Sequence, residues 1–143
     1  MKIQYSYLKS FLNTKLSQKK LSDAFTQVGF ECEIVGDLIE FDITPNRGDA
    51  LSLRGLEREF YAYQSTKPKR KLETSSLKLV QNKRVINQID SSGCSNYHLM
   101  LVKGLHKIKN LDAKKRSFIE AAGIPLINPL VDIGNYVMLE IGA

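Results

Sequence analysis

The chain is sparing with cysteine, holding only Cys32 and Cys94 among 143 residues. The two lie far apart, without the close pairing that zinc sites use, which points to free thiols in a reducing compartment. Each reads as a small buried hydrophobe. No stretch approaches the ~20 consecutive apolar residues of a membrane helix, so a helical membrane protein is excluded. The opening MKIQYSYLKSF has no long apolar core followed by a small-residue cleavage site, and the chain is read as cytoplasmic. Internal repeats, low-complexity tracts, a GxSxG elbow and a glycine loop for phosphates are all missing. His98 and His106 have no Cys, Asp or Glu at metal-ligand spacing, so no metal site is expected. Glu57 and Glu59 point to different sides of a helix and cannot act as a paired acid and base.

What remains is an ordinary globular composition, 43% hydrophobic and 25% charged, enough for one domain or two small ones. The formal charge of +6 and isoelectric point near 9.3 suit a polyanion such as RNA and equally suit simple solubility.

Periodicity predicts an α+β fold. Ser17 precedes an apolar stripe of Leu21, Ala24, Phe25 and Val28 at helical spacing, with Gly29 as the stop. FECEIV (30–35) and LIEFDI (38–43) alternate as strands, and Gly36-Asp37 between them suits a type II′ turn. Thr44 precedes a proline and is held extended, Asn46 suits the bend, and Asp49 stands where an N-cap belongs. The helix that follows, ALSLRGLEREFYAY, carries Leu53, Leu56, Phe60 and Tyr63 on one side. Arg47 is required by neither turn nor cap. It is expected to clamp a carboxylate, a carbonyl or a partner surface. The structural joint is thus Thr44, Pro45, Asn46, Arg47 and Asp49.

STKPKRKLETSS (65–76) is polar, basic and without apolar period, and reads as a linker. Beyond it LKLVQ, VINQI and NYHLMLVKGL (96–105) are strand-like, AKKRSFIEAAG (113–123) is helix-compatible, and Asn128-Pro129 offers a cap and first turn for LVDIGNYVMLEIG. The stripe of Leu130, Ile133, Val137, Met138 and Ile141 reads as core. The boundaries are 1–66 for a first domain, 67–76 for a basic linker and 77–143 for a second unit. Lys67, Lys69, Arg70, Lys71, Lys114, Lys115 and Arg116 are candidate phosphate contacts, weighed against plain solvated charge.

Two segments, DITPNRGDALSLRGLEREFYA (42–62) and GIPLINPLVDIGNYVMLEIG (123–142), resemble the bacterial phenylalanyl-tRNA synthetase β subunit. The first is similar to its N-terminal domain through Thr44, Pro45, Asn46, Arg47, Asp49, Leu51, Ser52 and Gly55. The second is similar to the start of its tRNA-editing domain through Asn128, Val131, Asp132, Asn135, Tyr136, Val137, Met138, Leu139, Glu140 and Gly142. The resemblance implies a small N-terminal helix–hairpin–helix domain joined by the linker to the beginning of an α+β editing-type domain. It implies a synthetase α subunit as partner in an α2β2-type assembly that attaches phenylalanine to tRNA-Phe. ATP and Mg2+ then belong to the assembled enzyme and no cofactor to this chain. Asn135 carries over to the editing pocket, where an asparagine orients an ester or a water but is a poor general base. It reads equally as a helix residue satisfying nearby backbone.

The departures are specific. Many relatives carry an OB-fold tRNA-binding module between the hairpin strands, where this chain has only Gly36-Asp37. The Ser-Pro-x-Trp start of the editing-domain helix is Leu111, Asp112, Ala113 and Lys114, and the usual Arg-Pro is Pro125-Leu126. The sequence stops at Ala143, before the histidine-containing continuation, as expected of a truncated β subunit that is not catalytic alone. A free-standing basic module binding RNA or protein is the alternative, and an independent editing hydrolase ranks last.

Overall fold

The computed structural model describes residues 1–67, 93, 102 and 104–142. The chain divides into a unit built from Met1–Lys69 with Ile108–Ala143, and a second spanning Arg70–Lys107. The first unit is therefore discontinuous in sequence, whereas the reading above groups 77–143 together. In the second, Gly104 has φ +82 and Leu105 opens a 3-10 turn over Leu105–Lys107, so the strand reading of 96–105 does not hold at residues 104 and 105. The candidate strands LKLVQ and VINQI, the residues Lys69, Arg70 and Lys71, and Cys94 and His98 lie outside the described residues.

The first unit is α+β. Strand β1 (Lys2–Gln4) runs into helix α1 (Tyr5–Phe11), and α2 (Gln18–Gln27) precedes the hairpin of β2 (Glu31–Val35) and β3 (Leu38–Asp42). A 3-10 turn over Pro45–Ala50 leads into α3 (Leu53–Tyr63), and α4 (Ala113–Ala121) and α5 (Pro129–Ile141) complete it. The sheet is antiparallel in the order β1-β3-β2, and the sequence reading missed both β1 and α1.

Local chemistry explains the boundaries. Ser17 caps α2 by accepting from the Lys20 amide, and Gly29 at φ +96 closes it with Gly29 N–H bonding Thr26 O and Phe30 N–H bonding Phe25 O. Helix α4 ends the same way, with Gly123 N–H on Glu120 O and Ile124 N–H on Ile119 O. In the hairpin Val35 faces Leu38 across two loop residues, with φ +61 at Gly36 and no positive φ at Asp37, the II′ pattern. Asn128 caps α5 by accepting from Leu130 and Val131 amides, each at 3.1 Å.

Two expectations fail. Ser52, not Asp49, is the N-cap of α3, its hydroxyl accepting from the Gly55 amide at 3.0 Å. The chain first winds through Pro45–Ala50, with Arg47 non-helical at φ −113, so Asp49 lies too early to reach the first turn of α3. The apolar stripe of α5 is not core either: Leu130, Val137, Met138 and Ile141 are exposed, while Asp132 and Leu139 are buried. The helix lies on the unit by its Asp132–Tyr136–Leu139 side, which the apolar spacing does not reveal.

In the first unit the core draws on every described element except β2. Ile3, Leu8, Leu21, Phe25, Ile39, Phe41, Leu53, Leu56, Phe60, Phe118 and Ile119 are essentially inaccessible. Burying each such side chain contributes about 1.5–3 kcal/mol relative to exposure. Phe25 meets Phe41 edge-on at 5.0 Å. Tyr61 of α3 is buried and donates to Leu12 O, whereas Tyr63, expected on the core side, is exposed and donates to Gln27.

Candidate functional site

The strand-to-helix joint brings together the residues singled out in the sequence. Pro45 starts the 3-10 turn, the Arg47 amide bonds Thr44 O at 2.9 Å, and Thr44 stays extended. The turn lies against α3 so closely that a Cβ on Gly55 would stand 2.1 Å from Asp49 O and 2.7 Å from Ala50 Cα. Glycine is obligatory there because it lets two backbones touch.

Arg47 forms a planar fork on Asp49, Nε to Oδ1 at 3.0 Å and Nη2 to Oδ2 at 3.2 Å. Nη2 also reaches Glu59 Oε1 of α3 at 2.9 Å, and the guanidinium carbon stands 5.2 Å from the Phe30 ring centroid. Arg58 joins both carboxylates, bonding Asp49 and approaching Glu59 Oε1 at 3.3 Å. The hydrogen bond from Arg47 holds the Asp49 carboxyl below its ordinary range, and Asp49 in turn raises Arg47. Two cations and two anions thus tie the turn to α3, and Arg47 also reaches Phe30, the residue just before β2. Such a fork needs parallel donors fixed in one plane, which a guanidinium has and the lysine ammonium lacks.

A second ionic group spans the two halves of the unit. Arg54 Nη1 bonds Glu57 Oε2 at 2.9 Å, and Nη2 stands 3.5 Å from Glu140 Oε1 of α5. Glu57 is buried, Arg54 lies over the Phe11 ring at 5.4 Å, and Arg54 Nε is buried with no hydrogen-bond partner among the described residues. Close by, Gly142 brings α5 to Ser52, where an added Cβ would sit 3.3 Å from the Ser52 hydroxyl. Tyr7 stacks on Phe118 with centroids 4.5 Å apart and donates to the Tyr136 hydroxyl at 3.2 Å. Burial raises both phenols, and Glu140 raises Tyr136 further by hydrogen bonding to it. None of these residues carried a sequence signal for pairing. Glu57 within the apolar side of α3 was the one available hint.

The candidate phosphate contacts separate. Lys67, Lys114 and Arg116 are exposed. Lys115 is engaged: its ammonium bonds Asp112 Oδ2 at 2.7 Å and lies 5.6 Å from the Tyr136 ring centroid. That bond raises Lys115 and lowers Asp112, which also caps α4 through the Lys115 amide. Asn135 is half-buried on α5, beside Tyr136. Asp132 is buried and accepts from the Ile127 amide at 2.9 Å, holding the loop before α5. Among the described residues no group of three His, Cys, Asp or Glu is arranged to hold a metal, and no helix is long and apolar enough to cross a membrane.

No protein-family model and no solved structure matches the chain. Curated proteins do. A phenylalanine–tRNA ligase beta subunit of Aquifex aeolicus is 40% identical over 114 residues, 77% of this chain and 14% of that protein. One of Clostridium acetobutylicum is 34% identical over 126 residues, 84% of this chain and 16% of the relative. One of Rhodopirellula baltica is 28% identical over 150 aligned positions, 99% of this chain and 22% of the relative. The chain therefore spans between about a seventh and a fifth of the length of these relatives, and it belongs to the family of phenylalanine–tRNA ligase β subunits.

Proposed function

We propose that this chain acts as an N-terminal scaffold of a phenylalanine–tRNA ligase β subunit. In this reading a small helix–hairpin–helix domain leads into the start of an editing-type domain, and the chain contributes to an assembly with a synthetase α subunit. The assembled enzyme joins phenylalanine to tRNA-Phe in the cytoplasm. ATP and Mg2+ serve that assembled enzyme, whose α subunit holds the ATP and phenylalanine. This chain is not itself catalytic. The observation that carries the reading is the kinship over most of the chain, supported by the Thr44–Asp49 joint and its Arg47 fork.

The chain's own residues serve by holding shape. Arg47, Asp49, Arg58 and Glu59 fix the joint, and Arg54 with Glu57 and Glu140 holds α5 against α3. Exposed Lys67, Lys114 and Arg116 meet tRNA phosphates without reading bases, so RNA affinity falls steeply with salt. Asn135 faces the editing pocket only when the remainder of that pocket is supplied.

Co-expression with the α subunit tests the assembly, read as a stable complex by light scattering after gel filtration. Failure of the full chain to associate, together with intact folding, would remove the scaffold reading. It would favour the second one, a free-standing basic module, for which the two-residue link at Gly36-Asp37 is the supporting observation. Tyrosyl-tRNA-Phe deacylation by the chain alone, lost on Asn135→Ala, would overturn both.

A further inference from the structure

The outer strand β2 has β3 on one side and no strand on the other among the described residues. Its register shows which groups are free. Val35 and Leu38 close a two-residue turn and so exchange hydrogen bonds, as do Glu33 with Glu40 and Glu31 with Asp42. The Phe41 amide bonds Met1 O on the β1 side, which fixes the same alternation from the opposite edge. The N–H and C=O groups of Cys32 and Ile34 therefore point out from the sheet edge.

The side chains above that edge are unusual for a chain of formal charge +6. Glu31 stands directly across from Asp42, and Glu33 across from Glu40, so two like-charged pairs face each other on the solvent side. Directly opposed like charges destabilise a sheet. Among the described residues one ion pair answers them, the Lys2 ammonium standing 3.2 Å from Glu40 Oε2. At the turn end Ile34 and Val35 are exposed, one on each face of the strand. Acidic side chains on an edge commonly guard it against strand addition. The same charges admit one class of strand, which brings cations opposite Glu31 and Glu33.

We infer that the open edge of β2 docks an extended basic polypeptide segment as a fourth strand. Lysine or arginine at alternate positions faces Glu31 and Glu33, and apolar residues between them cover Ile34. Main-chain hydrogen bonds to Cys32 and Ile34 supply attachment, and the alternation supplies specificity. A second copy of β2 is a poor occupant, because its own Glu31 and Glu33 add to the repulsion.

The test uses the full chain and a fluorescein-labelled peptide of alternating lysine and valine, read by anisotropy, with amide exchange followed at Cys32 and Ile34. Binding with slowed exchange at those two amides is expected. A peptide of the same sequence, N-methylated at alternate backbone nitrogens on one edge, keeps its charge and should not bind. Glu31→Gln with Glu33→Gln, both exposed, should weaken binding by about threefold or more, given the strength of cross-strand ion pairs. Equal binding of the methylated peptide, or of a glutamate–valine peptide, overturns the inference. So does unchanged exchange at Cys32 and Ile34.

Discussion

Replacing Gly55 by alanine sets two well-measured effects against each other. Within a helix alanine is favoured over glycine by about 1 kcal/mol, so propensity alone predicts a more stable protein. The site forbids it: the new methyl would stand 2.1 Å from Asp49 O, 2.7 Å from Ala50 Cα and 3.0 Å from the Asp49 carbonyl carbon. All three neighbours are backbone, so no side chain can swing aside. Either α3 or the 3-10 turn has to move by roughly an ångström, which loosens the packing of Ala50 and stretches the bond from Arg47 to Glu59. Overpacking of this kind typically costs about 1–3 kcal/mol and more against rigid backbone. With the propensity gain set against it, a net loss of up to about 2 kcal/mol is expected. Urea unfolding followed by circular dichroism measures it, with an unchanged slope showing that the midpoint shift is a stability change. Gly134→Ala is the control, since a Cβ there meets nothing within 4 Å and helix propensity should stabilise the protein. Equal stabilisation by both substitutions would refute the close approach of turn and helix.

Ser52→Ala should cost about 1 kcal/mol through loss of the α3 cap, while Asp49→Ala should leave the helix start intact; comparing their melting curves assigns the cap. Glu57→Ala leaves the partly buried Arg54 without its nearest carboxylate and should destabilise by about 2 kcal/mol, with Arg54→Leu in the same chain recovering part of the loss in urea titrations. Burial pushes the Cys32 thiol up to about 11, so in a Cys94→Ser background its alkylation by iodoacetamide at pH 8 should be slower than for a free thiol by about 100-fold. Because this folded value lies above the unfolded one, the thiol's contribution to stability is present below about pH 8.5 and lost as pH rises towards the folded value. Alkylation at the free-thiol rate would show Cys32 to be open to solvent.

Where local chemistry decides, the sequence was readable. Ser17 and Gly29 bound α2, Gly36-Asp37 turns the hairpin, and Asn128-Pro129 starts α5, because each uses groups within a few residues of one another. Asp49 was misread because a 3-10 turn intervenes between the proline and the helix, and spacing alone does not distinguish one more turn of chain from a cap. The α5 stripe was misread for a different reason. Apolar spacing says which residues share a face, but which face lies against the protein depends on Tyr7, Phe118 and Arg54, distant in sequence. The Arg47 fork was half visible, since a guanidinium unexplained by its turn had to find acceptors, yet Glu59 could be named only with α3 in place.

The discontinuous unit has a consequence for the order of events during synthesis. Phe118, Ile119 and Leu139 belong to the same apolar cluster as Ile3, Leu8 and Phe25. A nascent chain that has emerged only as far as Tyr63 holds the hairpin and three helices, but it exposes the surfaces of Tyr7 and Arg54 that α4 and α5 later cover. Closing this core means joining segments on either side of Arg70–Lys107, a loop closure whose entropy is lost before the contacts repay it. Closure of this apolar cluster therefore waits for α4 and α5, and until they arrive the growing chain is more open to aggregation and to proteases.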